Sequence, residues 1–138
     1  MARTVLIDTG AIVAALRKRD THHGWARANF EALSQPCRTC EAVVSESFFL
    51  LERIPNGRKT LGALLERGVI TVDFSLKEHL ADTLELMRRY HDTPMSFADA
   101  CLVRMAEIFP DAVVLTTDSD FLAYRKHGRQ SIALIAPW

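Results

Sequence analysis

Asp8, Glu46, Asp99 and Asp118 are carboxylates set among apolar neighbours. Asp8 follows the run Val5-Leu6-Ile7, and Asp118 comes just after a second apolar run, 112–116. On a helix, Glu46 has Ala42, Val43, Phe49 and Leu50 three and four residues away, which predicts a core-facing position. Asp99 shares its face with Leu102, Val103 and Ala106. A carboxylate so placed costs free energy unless it is paired or binds a cation. Clustered carboxylates raise one another's pKa, and a hard divalent ion such as Mg²⁺ or Mn²⁺ removes the conflict. Such an ion activates water and stabilises the attacking and leaving oxygens of a phosphodiester, so hydrolysis of that bond is the chemistry this pattern suits. Zinc does not suit it. The His and Cys residues form no ligand set, and Cys37-Arg38-Thr39-Cys40 has no second pair.

Each residue also has a plain structural role open to it. Asp8 and Asp118 can cap the helices that follow them. Asp99 lies three residues after Ser96, the capping-box interval, and Glu46 can reach solvent from the rim of its helix. One site at the carboxyl edge of a sheet would account for all four together.

The elements that must position them alternate between strand and helix. A strand at 4–7 runs into Asp8, and 10–19 reads as a helix with Arg17, Lys18 and Arg19 at its C-terminal end, where cations suit the dipole. Asp20 or Thr21 can cap a second helix, 22–33, which Gln35-Pro36 ends. A short strand at 37–40 precedes an apolar helix, 41–53, stopped by Pro55-Asn56-Gly57, and then a helix at 58–67 closed by Gly68. After a strand at 69–73, Ser75 caps a long helix reaching Tyr90, with Leu76, Leu80, Leu84 and Met87 along one face. Ser96 opens a helix that stops before Pro110. A strand at 112–116, a short helix from Asp118 to about 127 and a strand at 131–135 complete the order. Short apolar strands alternating with helices predict an α/β fold, a parallel sheet with helices on both faces.

At 138 residues the chain reads as one domain, 1–138. Lys plus Arg and Asp plus Glu are 17 each, so bulk charge does not indicate a strongly basic nucleic-acid binder, and RNA would be met through local patches or ions. Three cysteines, an odd number with no secretory segment ahead of them, fit reduced thiols in a cytoplasmic protein. No apolar run approaches the roughly 20 residues of a membrane span.

In order, Val5-Leu6-Ile7-Asp8-Thr9, His22-His23, Ser45-Glu46, Ser96-Phe97-Ala98-Asp99-Ala100 and Leu115-Thr116-Thr117-Asp118-Ser119-Asp120-Phe121 resemble the PIN-domain nucleases. Among these, the chain is similar to the VapC-type toxins of toxin–antitoxin modules. The resemblance implies a three-layer α/β/α sandwich with a central, mainly parallel sheet. It implies that Asp8, Glu46, Asp99 and Asp118 form the catalytic, metal-binding set. Asp120 would be a further acidic residue acting through water or positioning a ligand, with Thr9 and Thr117 as supporting hydroxyls. The implied activity is a Mg²⁺- or Mn²⁺-dependent endoribonuclease, a homodimer neutralised by a small antitoxin whose C-terminal segment enters the site. Gly10 departs from the pattern, since many relatives carry a polar residue there.

Two rival readings belong to other classes. A PIN-like module that binds RNA or a partner without cleaving has no reason to keep the full acidic set. An aspartate-based phosphatase usually pairs its nucleophile with a nearby second aspartate and a lysine, whereas Asp8 is followed by Thr9 and Gly10. Arg17-Lys18-Arg19, Arg88-Arg89 and Arg125-Lys126 are the clusters able to meet RNA phosphates. Phe48, Phe49, Leu50 and Leu51 are apolar nearly all round their helix, with one side expected on the core and the other on a dimer or antitoxin surface.

Overall fold

The computed structural model describes residues 3–138. Its centre is β1 (Val5–Ile7), whose Leu6 and Ile7 are fully buried. Asp8 then caps α1 (Thr9–Leu16), and α2 (His23–Glu31) packs against it. After β2 (Cys37–Thr39) come α3 (Glu41–Leu50) and α4 (Gly57–Glu66), which leads through Gly68, at φ 73°, into β3 (Ile70–Val72). That positive φ is the turn glycine expected after this helix. The pair α5 (Leu76–Arg89) and α6 (Phe97–Ile108) crosses back to β4 (Val113–Leu115). A single 3₁₀ turn, Ser119–Leu122, a small hairpin of β5 (Arg125–Lys126) and β6 (Gln130–Ser131), and β7 (Ala133–Ile135) finish the chain.

The main sheet has five strands in the order β3-β2-β1-β4-β7, every pairing parallel. The chain moves outward from β1 through β2 to β3, then returns to lay β4 on the other side of β1. Right-handed crossovers therefore carry the early helices and the α5–α6 pair on opposite faces of the sheet. The three-layer expectation holds. The reversal of direction between β1 and β4 opens a crevice at their carboxyl ends, where open α/β sheets bind ligands.

Several sequence expectations need correction. Helix α1 ends at Leu16, with Arg17 as C-cap, so Lys18 and Arg19 lie beyond the helix rather than in its last turn. Neither Asp20 nor Thr21 is the N-cap of α2; His22 takes that position, and Asp20 instead accepts from the His22 N–H at 2.9 Å. The face of α5 drawn through Leu76, Leu80 and Leu84 is not the buried one: Leu80 and Leu84 are exposed, while Thr83 and Leu86 are buried. Non-helical dihedrals at His79 (φ −119°, ψ 20°) break the register there, and Thr83 Oγ1 donates to the His79 carbonyl at 2.7 Å. The helix expected up to 127 stops at Leu122. Left-handed His127 (φ 53°) and Gly128 (φ 81°) instead turn the β5–β6 hairpin.

Candidate active site

Asp8 and Thr116 leave neighbouring strands side by side. Ile7 is in register with Leu115, so the next residue of each strand faces the other across the crevice. Asp8 Oδ1 accepts from the Ala11 N–H at 2.8 Å, capping α1, while Thr116 Oγ1 donates to Asp8 Oδ2. The same Thr116 oxygen accepts from the Asp118 N–H at 2.9 Å, and Asp118 Oδ1 accepts from the Asp120 N–H at 2.9 Å. Asp8 and Asp118 thus do serve as caps, as their plain reading required. Each has a second carboxylate oxygen beyond its capping bond, and both residues line the same cleft.

Asp99 enters from α6, on the sheet's other face. Ser96 and Asp99 form a complete capping box, with the Asp99 N–H donating to Ser96 Oγ at 3.0 Å and the Ser96 N–H to Asp99 Oδ2 at 3.4 Å. The hydroxyl of fully buried Tyr124 also donates to Asp99 Oδ2, at 2.9 Å. Leu102, Val103 and Ala106 on the same face are buried, as expected.

Glu46 stands differently from its expected core-facing position. It is exposed, as are Phe49 (68%) and Leu50 (48%), because α3 buries Val43 and Ser47, with Leu51 beyond its end, instead. A helix apolar nearly all round has no phase legible from spacing, and the neighbouring α1 and α6 select the buried side. Glu46 still reaches the site, since α3 lays Val43, Glu46 and Leu50 along the wall of the cleft.

The cleft has a volume of about 520 Å³ and gathers Asp8, Glu46, Asp99 and Asp118 with Thr9, Gly10 and Thr117. Asp120, half-buried, does not line the cleft and meets the set through its N–H on Asp118 Oδ1. Gly10 has a local reason: a Cβ there would stand well inside contact distance of Thr117 Oγ1. The Thr117 side chain occupies the space a side chain at position 10 would need.

Charge is crowded here. Burial pushes the Asp8 carboxyl up to about 6, against the hydrogen bonds from Thr116 and the Ala11 N–H, and the charges of Asp118 and Asp99 add to the rise. Burial also raises Asp99, opposed by the Tyr124 bond and reinforced by Asp118. Asp120 is raised by desolvation and by Asp118, and the Tyr124 phenol by its own burial and by Asp99.

This donor set is all oxygen, its members repel one another, and Thr9 Oγ1 is buried with no hydrogen-bond partner among the described residues. Those features fit a hard cation rather than a soft one. Among the described residues, no three His, Cys, Asp or Glu side chains come together closely enough to hold one ion. Mg²⁺ does not need that, because it keeps several waters and takes one or two carboxylates.

Thr116 and Tyr124 were not among the residues the spacing singled out. For Thr116 a signal existed, a polar residue ending an apolar strand just as Asp8 ends its own. Tyr124 gives none, since its contact with Asp99 spans 25 residues and two elements.

A parallel α/β sandwich with acidic residues gathered at its switch point defines a class, and residues 5–127 match the model of the PIN domain. The chain belongs to the PIN-domain family. Its fold is similar to that of Mycobacterium tuberculosis VapC20, a toxin that cleaves the sarcin–ricin loop. The TM-score is 0.78 at 20% identity, over 87% of this chain and 94% of that one. No curated protein matches the chain.

Proposed function

We propose that the protein is a metal-dependent endoribonuclease of the VapC toxin type, hydrolysing RNA phosphodiester bonds in this cleft. The observation that supports it most is the meeting of Asp8, Glu46, Asp99 and Asp118, from four separate elements, around one crevice of a PIN-domain fold. In this reading one or two of Asp8, Asp99 and Asp118 would bind Mg²⁺ or Mn²⁺ directly and the rest through its retained waters, with Glu46 on the facing wall and Asp120 acting through water. When bound, the ion supplies water activation and charge neutralisation at the phosphate.

The chain's own part is preorganisation. Thr116 fixes Asp8, Tyr124 and Ser96 fix Asp99, and the Asp120 N–H fixes Asp118, so the carboxylates need little rearrangement when substrate arrives. The N-terminus of α1 opens on the cleft at Thr9 and Gly10 and presents the positive end of its dipole to an incoming phosphate. The Thr9 hydroxyl is buried beside the cleft without a hydrogen-bond partner among the described residues. A small protein antitoxin and a second copy of the chain are the proposed partners, and the exposed Phe49 and Leu50 beside the cleft are a surface on which such a partner could rest.

The test is cleavage of total RNA by the purified protein with Mg²⁺ or Mn²⁺, compared with EDTA and with Asp99→Asn. The asparagine keeps the shape of the Ser96 and Tyr124 contacts and removes one charge. Discrete cuts that need metal and vanish in the variant are the expected result. Cleavage unaffected by EDTA or by the variant, or no cleavage together with no binding of either ion, would overturn the proposal.

A further inference from the structure

A second cleft, of about 780 Å³, lies at the far end of α1, where Arg17, Lys18, Arg19, His23, Arg27 and Arg53 converge from three segments of the chain. No carboxylate lines it among the described residues. Arg27 is paired with Glu31 at 3.0 Å, whereas Arg17, Lys18, Arg19 and Arg53 make no ion pair among the described residues. All four are exposed. Complementing the α1 dipole does not account for them. That effect fades within the last turn of a helix, Lys18 and Arg19 lie past it, and Arg27 and Arg53 belong to other segments.

Overall neutrality therefore hides a segregation of charge. Carboxylates collect at the N-terminal end of α1, and unpaired cations at its C-terminal end. Two segments run from one cleft into the other: α1, with Thr9 and Gly10 on the first and Ala15 and Leu16 on the second, and the turn that follows α3, from Leu50 to Arg53. Seven helical steps from Thr9 to Leu16 separate the two by about 10 Å, which a few nucleotides of strand can span.

We infer that this basic cleft holds the phosphate backbone of single-stranded RNA a few nucleotides from the scissile bond, so that a strand reaches the acidic cleft already anchored. The inference rests on the ribonuclease reading above and names the path of its substrate. An acidic catalytic cleft repels a polyanion, and separate cations supply the attraction it lacks.

The experiment uses the full chain carrying Asp99→Asn, so that bound RNA is not cut, and a fluorescein-labelled single-stranded RNA of mixed sequence. Binding is titrated across a range of salt for that protein and for two versions of it. One adds Arg17→Gln, Arg19→Gln and Arg53→Gln, and the other changes the same three positions to lysine. The neutral version should bind roughly tenfold or more weakly at low salt, with the slope of log affinity against log salt shallower by about 2, and the lysine version should recover both. Arg53→Gln alone, on a segment separate from α1, should lower the slope by about 0.7. Equal melting temperatures keep misfolding out of the comparison.

Unchanged affinity and slope in the neutral version would overturn the inference, and metal-dependent cleavage by the wild type would then leave the ribonuclease reading standing. In a parallel titration with fluorescein-labelled poly-glutamate, loss of its binding in the neutral version with RNA binding intact would also overturn it, assigning the cleft to an acidic protein segment. If wild-type protein neither binds nor cleaves RNA, both readings fall.

Discussion

Replacing Asp8 with asparagine is expected to stabilise the metal-free protein at neutral pH while abolishing RNA cleavage. Asp8 is only 5% exposed, and burial, outweighing its two hydrogen bonds, moves its carboxyl from 3.8 to about 6. Between those values the folded protein keeps a proton that the unfolded chain has released. The stability tied to this group is therefore complete below pH 3.8 and is lost as pH rises through about 6. The difference amounts to about 3 kcal/mol. Asparagine keeps the shape, and its Oδ1 can still accept from the Ala11 N–H, but its Nδ2 cannot accept from the Thr116 hydroxyl and that contact must reverse, at a pH-independent cost of about 1 kcal/mol. A net gain of about 2 kcal/mol raises the melting temperature by roughly 6–10 °C for a chain of this size. The assay is thermal unfolding in EDTA at pH values spanning about 4 to 8. The variant should fall about 1 kcal/mol below wild type at the acid end and show its full advantage at the alkaline end. A variant no more stable than wild type at pH 8, or one whose advantage does not shrink in acid, would refute the reasoning and show the Asp8 charge already compensated by the fold.

Tyr124→Phe removes the hydroxyl that fixes Asp99 Oδ2 while keeping the ring in the core. A hydrogen bond to a charged acceptor is worth about 1.5–3 kcal/mol. RNA cleavage should accordingly fall about ten- to a hundredfold in kcat with little change in KM, and an unaltered kcat would remove Tyr124 from any positioning role. Gly10→Ser forces the Thr117 hydroxyl aside and should lower the melting temperature, and the pair Gly10→Ser with Thr117→Ala should restore it. Failure of that rescue would mean that the backbone itself resists a side chain at position 10. Ser96→Ala opens the capping box and should cost about 1 kcal/mol in urea unfolding, and an unchanged midpoint would count against that box as a stabilising feature.

Local chemistry was legible in the chain. Val5–Ile7 and Val113–Leu115 announce themselves as buried parallel strands because apolar β-prone residues run without polar interruption. Ser75, Ser96 and Gly68 mark helix ends because their caps depend on contacts a few residues away. The carboxylates stood out because an acidic residue beside apolar runs asks for a reason.

Orientation was less legible. Helix α3 is apolar on nearly every side, so spacing could not tell that Glu46 faces solvent while Val43 and Ser47 face the core. On α5 the stripe through Leu80 and Leu84 was real, but the break at His79 turned it outward. Both are decisions of packing, made by elements far away in the chain.

What the sequence alone determined is the alternation of elements, the fold class and the identity of the acidic residues, because these follow from composition and short-range spacing. What only the tertiary structure decided is which groups meet. Thr116 bonds Asp8 across 108 residues, Tyr124 holds Asp99 from the loop before β5, and cations from three segments close around one cleft. Such meetings are set by the register of β1 against β4 and by the crossover that brings α6 to the switch point. No local spacing encodes them, because they exist only once the sheet has formed.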